Sequence, residues 1–271
     1  MTPKAERLSD AITLYEGDGL AVAMSLPTAS LDAIVMDPPY CGGGISETQR
    51  TAAKGQGLRS ENLNRFGWFT GDNMTTAGLL FLLRAVAFEA TRIVKPTGAV
   101  VVFCDHRMQF TLGPGIESAG LRYQEELIWN KQAMGMGNGF RKQHEKAMVF
   151  TLGSPKYHAA DVPTVIDCPR VRGDDREHQT QKPTPLLRSI LRVVCPRGGI
   201  VFDPFAGSGS LAVAAMQESM GAIVAERDSE HCETIRRRVA DADSSAPGTL
   251  FREVARRESL FADEPEPEVA R

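Results

Sequence analysis

The chain has 271 residues, 42% of them hydrophobic and 24% charged, which is enough apolar material to core one domain with insertions or two small ones. Its net charge of -3 excludes a protein that coats nucleic acid through overall charge, so any such contact must come from a local basic patch. No apolar run approaches the roughly 20 residues that span a bilayer, the amino terminus lacks the apolar middle of a secretory signal, and the five cysteines are scattered without a C-x-x-C pair; these features predict a cytoplasmic protein with reduced thiols and neither a disulfide framework nor a metal site.

Short apolar runs alternate with helical periodicity along the chain, which predicts an α/β protein with a mostly parallel sheet. The β-branched run Leu31 to Met36 is a strand that stops at Asp37, because Pro38 and Pro39 cannot continue a ladder. Cys41 to Asn73 is rich in Gly, Thr, Gln, Asn and Arg and predicts a long mobile loop. Ala77 to Val94 has the apolar spacing of a helix, followed by strands at Val100 to Phe103, Leu121 to Trp129 and Ala147 to Leu152. Ser154 to Gln179 is a second irregular, polar and basic insert. A helix over Pro183 to Val194, a strand over Ile200 to Phe202, a helix over Ser210 to Met220, a strand over Ala222 to Ala225 and a helix over His231 to Ala242 complete the pattern. From Asp243 the composition shifts to SSAPG and DEPEPEVAR, a weakly ordered tail over 243–271.

Two strand ends carry chemistry. Asp37-Pro38-Pro39-Tyr40 closes the first, a position where open α/β sheets place ligands. An exocyclic amino group on adenine or cytosine is a poor nucleophile, since its lone pair is delocalised into the ring. A carboxylate and a backbone carbonyl that accept both amino hydrogens favour the pyramidal nitrogen and stabilise the positive charge that grows on it. Asp37 and the Pro38 carbonyl have that chemistry, and Tyr40 offers a face on which an extruded base can stack. The plainer alternative is a strand-ending turn with a buried tyrosine.

The second strand end is Asp203-Pro204-Phe205-Ala206-Gly207-Ser208-Gly209-Ser210, a glycine turn that opens a helix. Gly207, Gly209 and Ala212 match G-x-G-x-x-A, and Glu226 ends the next strand 19 residues after Gly207, placed to hold ribose hydroxyls. Alone, this also fits a dinucleotide site or a structural turn. Asp203 shifts the balance, because a carboxylate there suits an amino group and opposes a pyrophosphate. Lys182, in His178-Gln-Thr-Gln-Lys-Pro183, could bind a cofactor carboxylate, the alternative being a capped helix start. His178 has no second ligand at helical spacing and is not read as a metal ligand. Candidate basic patches for nucleic acid lie in three stretches, Arg50 to Arg65, Lys131 to Lys146 and Arg170 to Lys182, with Arg50, Lys54, Arg59, Arg65, Arg141 and Lys142 as the residues named for DNA; the plainer alternative for each is solvated surface charge.

Together these segments resemble the DNA amino-methyltransferases of the permuted, beta class, in which the D-P-P-Y motif comes first and the F-x-G-x-G motif near the carboxyl end. Here Asp37 precedes Asp203 by 166 residues. The resemblance also covers Gly17-Asp18-Gly19 with Leu31-Asp32-Ala33, Arg92-Ile-Val-Lys-Pro-Thr-Gly98, Leu127-Ile-Trp-Asn-Lys131 and Gln181-Lys-Pro183. It implies a Rossmann-like, S-adenosylmethionine-dependent methyltransferase fold over 1–242, helices on both sheet faces, circularly permuted motif order, and a short target-reading insert over 153–179. Carried over by position, Asp37, Pro38, Pro39 and Tyr40 are catalytic, while Asp203, Phe205, Gly207, Ser208, Gly209, Glu226, Lys182 and Asp18 bind S-adenosylmethionine. The implied substrate is duplex DNA, methylated at adenine N6 by base flipping, since relatives acting on cytosine N4 more often carry Ser at the place of Asp37. The resemblance also implies a homodimer and a place in DNA methylation, including restriction-modification, with the restriction partner left open. Competing readings are cytosine-N4 methylation, a guanine-N2 RNA enzyme disfavoured by motif order, a dinucleotide-dependent oxidoreductase that leaves Asp37 to Tyr40 idle, and a silent DNA-binding module that leaves Asp37 and Tyr40 unexplained.

Overall fold

The computed structural model describes residues 4–39, 75–135, 138–171 and 181–245. The expected mobile loop, with Tyr40, Arg50, Lys54, Arg59 and Arg65, lies outside the described residues, as do His178 and all of the tail from residue 246. In chain order the elements are β1 (Ala5–Arg7), β2 (Ile12–Glu16), α1 (Gly19–Ser25), β3 (Leu31–Met36), α2 (Thr76–Ile93), β4 (Val94–Cys104), α3 (Gln109–Glu117), β5 (Arg122–Asn130), β6 (His144–Thr151), β7 (Val165–Asp167), α4 (Thr184–Val194), β8 (Ile200–Asp203), α5 (Ser210–Gln217), β9 (Gly221–Glu226) and α6 (Ser229–Ser245).

The strands form one sheet in the order β1-β2-β9-β8-β3-β4-β6-β5-β7. The central run from β2 to β4 is parallel throughout. Antiparallel pairs occur where β6 meets β4 and β5, and where β1 meets β2. Strand period and burial agree: Ala33 and Val35 of β3 enter the core on one face, where α4, α5 and α6 pack, and Leu31, Ile34 and Met36 enter the other, against α1, α2 and α3. The α2 helix starts at Thr75, whose hydroxyl accepts from Gly78 N–H, and buries Leu79, Leu83, Val86, Ala87, Ala90 and Ile93 at helical spacing. Its end is tied to α1 by Arg92, which donates to the Leu26 and Ala23 carbonyls at 2.6 and 3.0 Å.

Two expectations need correction. The insert is not wholly irregular: β7 lies within it and pairs parallel to β5, while Trp129 Nε1–H donates to the Cys168 carbonyl at 2.6 Å. Main-chain pairing at a free sheet edge rewards even three residues, which local pattern does not reveal. The last helix also runs to Ser245, past the expected boundary at Ala242, because Ala and Asp continue it without a breaker.

Near the amino end of β3, opposite to the strand ends named above, Asp32 joins three central strands. Its carboxylate accepts from Lys95 Nζ at 2.7 Å and from the Ile200 N–H of β8 at 2.9 Å. A Cβ on Gly98 would lie 2.4 Å from the Asp32 carbonyl oxygen, so only glycine lets β4 pass here. Asp32→Ala strands the buried Ile200 N–H, and a loss of about 1–3 kcal/mol is expected by chemical denaturation. Asp32→Asn keeps an acceptor and should lose less; equal stability of all three proteins would show that this junction does not matter.

Candidate active site

The order of the central strands places a topological switch between β8 and β3. From β8 the chain crosses through α5 to β9 on one side, and from β3 through α2 to β4 on the other. At such a point the two crossovers diverge and leave a crevice at the carboxyl ends of the strands. Here that crevice is a cleft of about 480 Å³ lined by Asp37, Lys182, Asp203, Phe205, Gly207 and Ser208 among others. Asp37 ends β3 and Asp203 ends β8, and these strands are hydrogen-bonded neighbours with Ile34 opposite Phe202. Two motifs far apart in the sequence thus share one cleft.

The glycine turn is built by close approach. Gly207 and Gly209 have φ of +52° and +75°, the left-handed region that favours glycine. A Cβ at Gly209 would also sit 2.9 Å from Ile235 of α6. From α6, Arg238 donates to the Ser208 carbonyl at 2.6 Å and to its hydroxyl at 3.1 Å, holding the turn from behind. Sequence reading missed Arg238, since its partners are distant in the chain. Glu226, at the end of β9, accepts from Gly207 N–H at 2.8 Å and from the N–H groups of Arg227 and Asp228 at 2.8 and 2.9 Å.

Asp203 is 6% exposed. Among the described residues its carboxylate accepts one hydrogen bond, from Phe205 N–H at 3.0 Å. Burial raises its pKa to about 8, with Asp37 and Glu226 adding to the rise while the Phe205 N–H and Lys182 oppose it. A buried carboxyl with so little compensation beside an open cleft fits a ligand that brings a cation, and the ammonium group of S-adenosylmethionine is one.

Lys182 lines the cleft, and its ammonium also meets two carboxylates. Its ammonium is paired with the Asp37 carboxylate and lies 3.2 Å from Glu145 Oε2, within ion-pair range but not aligned for a hydrogen bond, while Glu145 Oε1 is paired with Lys131. Burial works against the Lys182 charge, but Asp37 and Glu145 outweigh it and hold its pKa above the ordinary lysine value. For Glu145, burial is likewise outweighed by Lys182 and Lys131, and its pKa falls. The β5/β6 register sets this contact by placing Glu145 opposite Trp129, two residues before Lys131. That pairing was invisible in the linear sequence.

The remaining predicted residues are dispersed. Pro38 is buried and Pro39 half-buried directly after Asp37. Asp18 caps α1, its Oδ1 accepting from Ala21 N–H at 3.0 Å, and the neighbouring Gly19 packs so closely that a Cβ would lie 2.0 Å from the Pro204 carbonyl oxygen. Asp18 therefore caps the helix whose first residue packs on Pro204 beside the glycine turn, and it is not among the residues that line the cleft. Lys142 lines an adjacent cleft of about 600 Å³ with Lys131, Glu145, Lys146 and Arg170, and it lies 3.4 Å from Asp105. Arg141 is exposed and donates to the Gly135 carbonyl at 2.7 Å.

With this geometry in place, a DNA methylase family model matches residues 31–237. The chain belongs to the N6/N4 DNA methylase family. Its members are S-adenosylmethionine-dependent DNA methyltransferases. Putative methylase YubD of Escherichia coli (strain K12) is 27% identical over 202 residues, spanning 74% of this chain and 78% of that protein. Among solved structures, the M1.HpyAVI–SAM complex superposes with a TM-score of 0.62 at 20% identity, covering 84% of this chain and 98% of the other. PvuII DNA methyltransferase, described as cytosine-N4-specific, superposes with a TM-score of 0.65 at 15% identity over 93% and 92% of the two chains. These structures bear out the expected methyltransferase fold.

Proposed function

We propose that the chain methylates the exocyclic N6 of adenine in duplex DNA, on a nucleotide flipped out of the helix, with S-adenosylmethionine bound in the cleft between β8 and β3. The observation that carries this reading is the side-by-side placement of Asp37 and Asp203 at one crevice. When bound, the cofactor supplies an electrophilic methyl group on sulfur. Asp203 holds its ammonium, Glu226 faces the ribose hydroxyls, the glycine turn lets the backbone approach, and Phe205 forms an apolar wall. Asp37 and the Pro38 carbonyl accept the amino hydrogens of the target base, and the Asp37 carboxylate stabilises the positive charge that develops on nitrogen. Flipping is required because the amino group cannot reach a buried strand end while stacked in a duplex. Lys142, 3.4 Å from Asp105 just past the carboxyl end of β4, and its neighbour Arg141 are assigned to the DNA backbone.

Asp37, in place of the serine more common among cytosine-N4 enzymes, supports adenine. A dinucleotide-dependent oxidoreductase is disfavoured because Asp203, beside the glycine turn, would oppose a pyrophosphate. The test is incubation with unmethylated duplex DNA and S-adenosylmethionine, followed by mass spectrometry of the nucleosides. N6-methyladenine is the expected product. N4-methylcytosine alone would overturn the base assignment, and unmodified DNA of diverse sequence would overturn the activity.

A further inference from the structure

The charges that converge on Asp37 assign a role to Glu145, one that rests on the methyl-transfer reading above. Along Asp37, Lys182, Glu145 and Lys131 the sign alternates, from the end of β3 to the segment after β5. Lys182 is 5% exposed, so little water reaches its ammonium and carboxylate partners matter for its charge. The Phe103 ring, 5.0 Å from Nζ, adds a weaker cation–π contact.

Methyl transfer needs negative charge on Asp37 at the moment positive charge grows on the amino nitrogen. An ammonium bound to Asp37 alone would neutralise that carboxylate and stand as a like charge beside the reacting centre. A second carboxylate on the far side of the ammonium eases the conflict, because Lys182 then divides its charge between Asp37 and Glu145; with Lys131 paired to Glu145 the chain of four is neutral as a whole. Glu145 is placed for this and for nothing nearer the chemistry: it lines the adjacent cleft and is absent from the walls of the one between β8 and β3. We infer that Glu145 is a positioning residue for methyl transfer, holding Lys182 and cancelling its charge so that Asp37 retains its strength as an acceptor, without touching base or cofactor. Lys131 balances Glu145 from outside.

The test uses the full chain with Glu145→Gln, Lys182→Gln and the double variant. Three quantities are read: S-adenosylmethionine affinity by calorimetry, single-turnover methylation with both substrates saturating, and the Lys182 ammonium signal by ¹⁵N NMR without ligands. Glu145→Gln is expected to keep cofactor affinity and to lose about tenfold or more in single-turnover rate, a fraction of what an acceptor at the reacting centre is worth. The double variant should be no slower than Lys182→Gln, because the two residues act as one unit. A wild-type rate in Glu145→Gln, losses that multiply in the double variant, or an equal loss of cofactor affinity overturns the assignment. If the wild-type protein methylates no base, the methyl-transfer reading fails separately, and NMR decides the charge chain: a Lys182 signal lost in Glu145→Gln sustains it, and an unchanged one overturns it. Should Glu145→Gln not fold, Lys131→Met probes the chain from its outer end. A severalfold fall in rate at unchanged cofactor affinity is expected there, and an unchanged rate overturns the role.

Discussion

Asp37→Ala is expected to slow single-turnover methylation by about a hundredfold to a thousandfold, the usual cost of removing one preorganised partner of a developing charge, while S-adenosylmethionine still binds. The asymmetry follows from position. Asp37 ends β3 and Asp203 ends β8 at one cleft, and in the proposed reaction the two carboxylates serve different halves. An acceptor that matters chiefly as charge grows on the amino nitrogen lowers the rate without weakening ground-state cofactor binding. Lys182 keeps Glu145 as a partner when Asp37 is removed, so the buried ammonium is not abandoned and the variant should fold. Calorimetry with the cofactor, run beside a rapid-quench methylation assay, separates the two effects. Loss of cofactor binding in a folded Asp37→Ala protein would reverse the roles given to these strand ends.

The central strands were legible because they are buried on both faces. Leu31 to Met36, Ile200 to Phe202 and Ala222 to Ala225 are apolar runs that stop abruptly at an acid or a proline, and the structure ends β3, β8 and β9 at or beside those same residues. Edge elements were read less well. In β2, Ile12 and Leu14 are buried and alternate with Thr13 and Tyr15, a signal that was present but short. The α3 helix contains Gly113, Pro114 and Gly115, which spell a turn locally. It is nonetheless helical and buries Leu112, Gly113 and Ile116, and α2 packs so closely that a Cβ on Gly115 would lie 2.0 Å from Leu80 Cδ1, so tertiary packing outweighs propensity here.

The same division holds at the site. Asp37, Asp203, Phe205 and the glycine turn could be named from the sequence because each sits where a strand breaks, and strand ends advertise themselves. Partners set by sheet register could not. Glu145 reaches Lys131 because β6 pairs with β5 at Trp129, and Arg238 of α6 reaches Ser208 across 30 residues of sequence. Lys182 could be placed near the glycine turn from the sequence, but its pairing with Asp37 at the end of β3 could not.

Cofactor binding is expected to strengthen as pH rises from about 6 to about 8, by up to tenfold for each unit, the consequence of a single proton lost on binding. The group responsible is Asp203, whose carboxyl is raised to about 8 in the ligand-free protein, chiefly by burial. Near neutrality that carboxyl is mostly protonated, whereas the cofactor ammonium needs the carboxylate, so binding at pH 7 must release a proton. The release can be measured by calorimetry in buffers of different ionisation enthalpy. Stability carries the opposite sign. Between its ordinary value of 3.8 and about 8, Asp203 holds its proton in the folded protein and has lost it in the unfolded chain, so the ligand-free protein loses stability as pH rises through that window. Asp203→Asn removes both dependences. It also replaces a charged acceptor with a neutral one, and affinity for S-adenosylmethionine should fall by about tenfold to a hundredfold, the range of one hydrogen bond to a charged group. Turnover of the saturated variant should suffer far less than that of Asp37→Ala. Affinity that is flat from pH 6 to 8 in the wild-type protein, or unchanged in Asp203→Asn, would remove Asp203 from the cofactor's ammonium group.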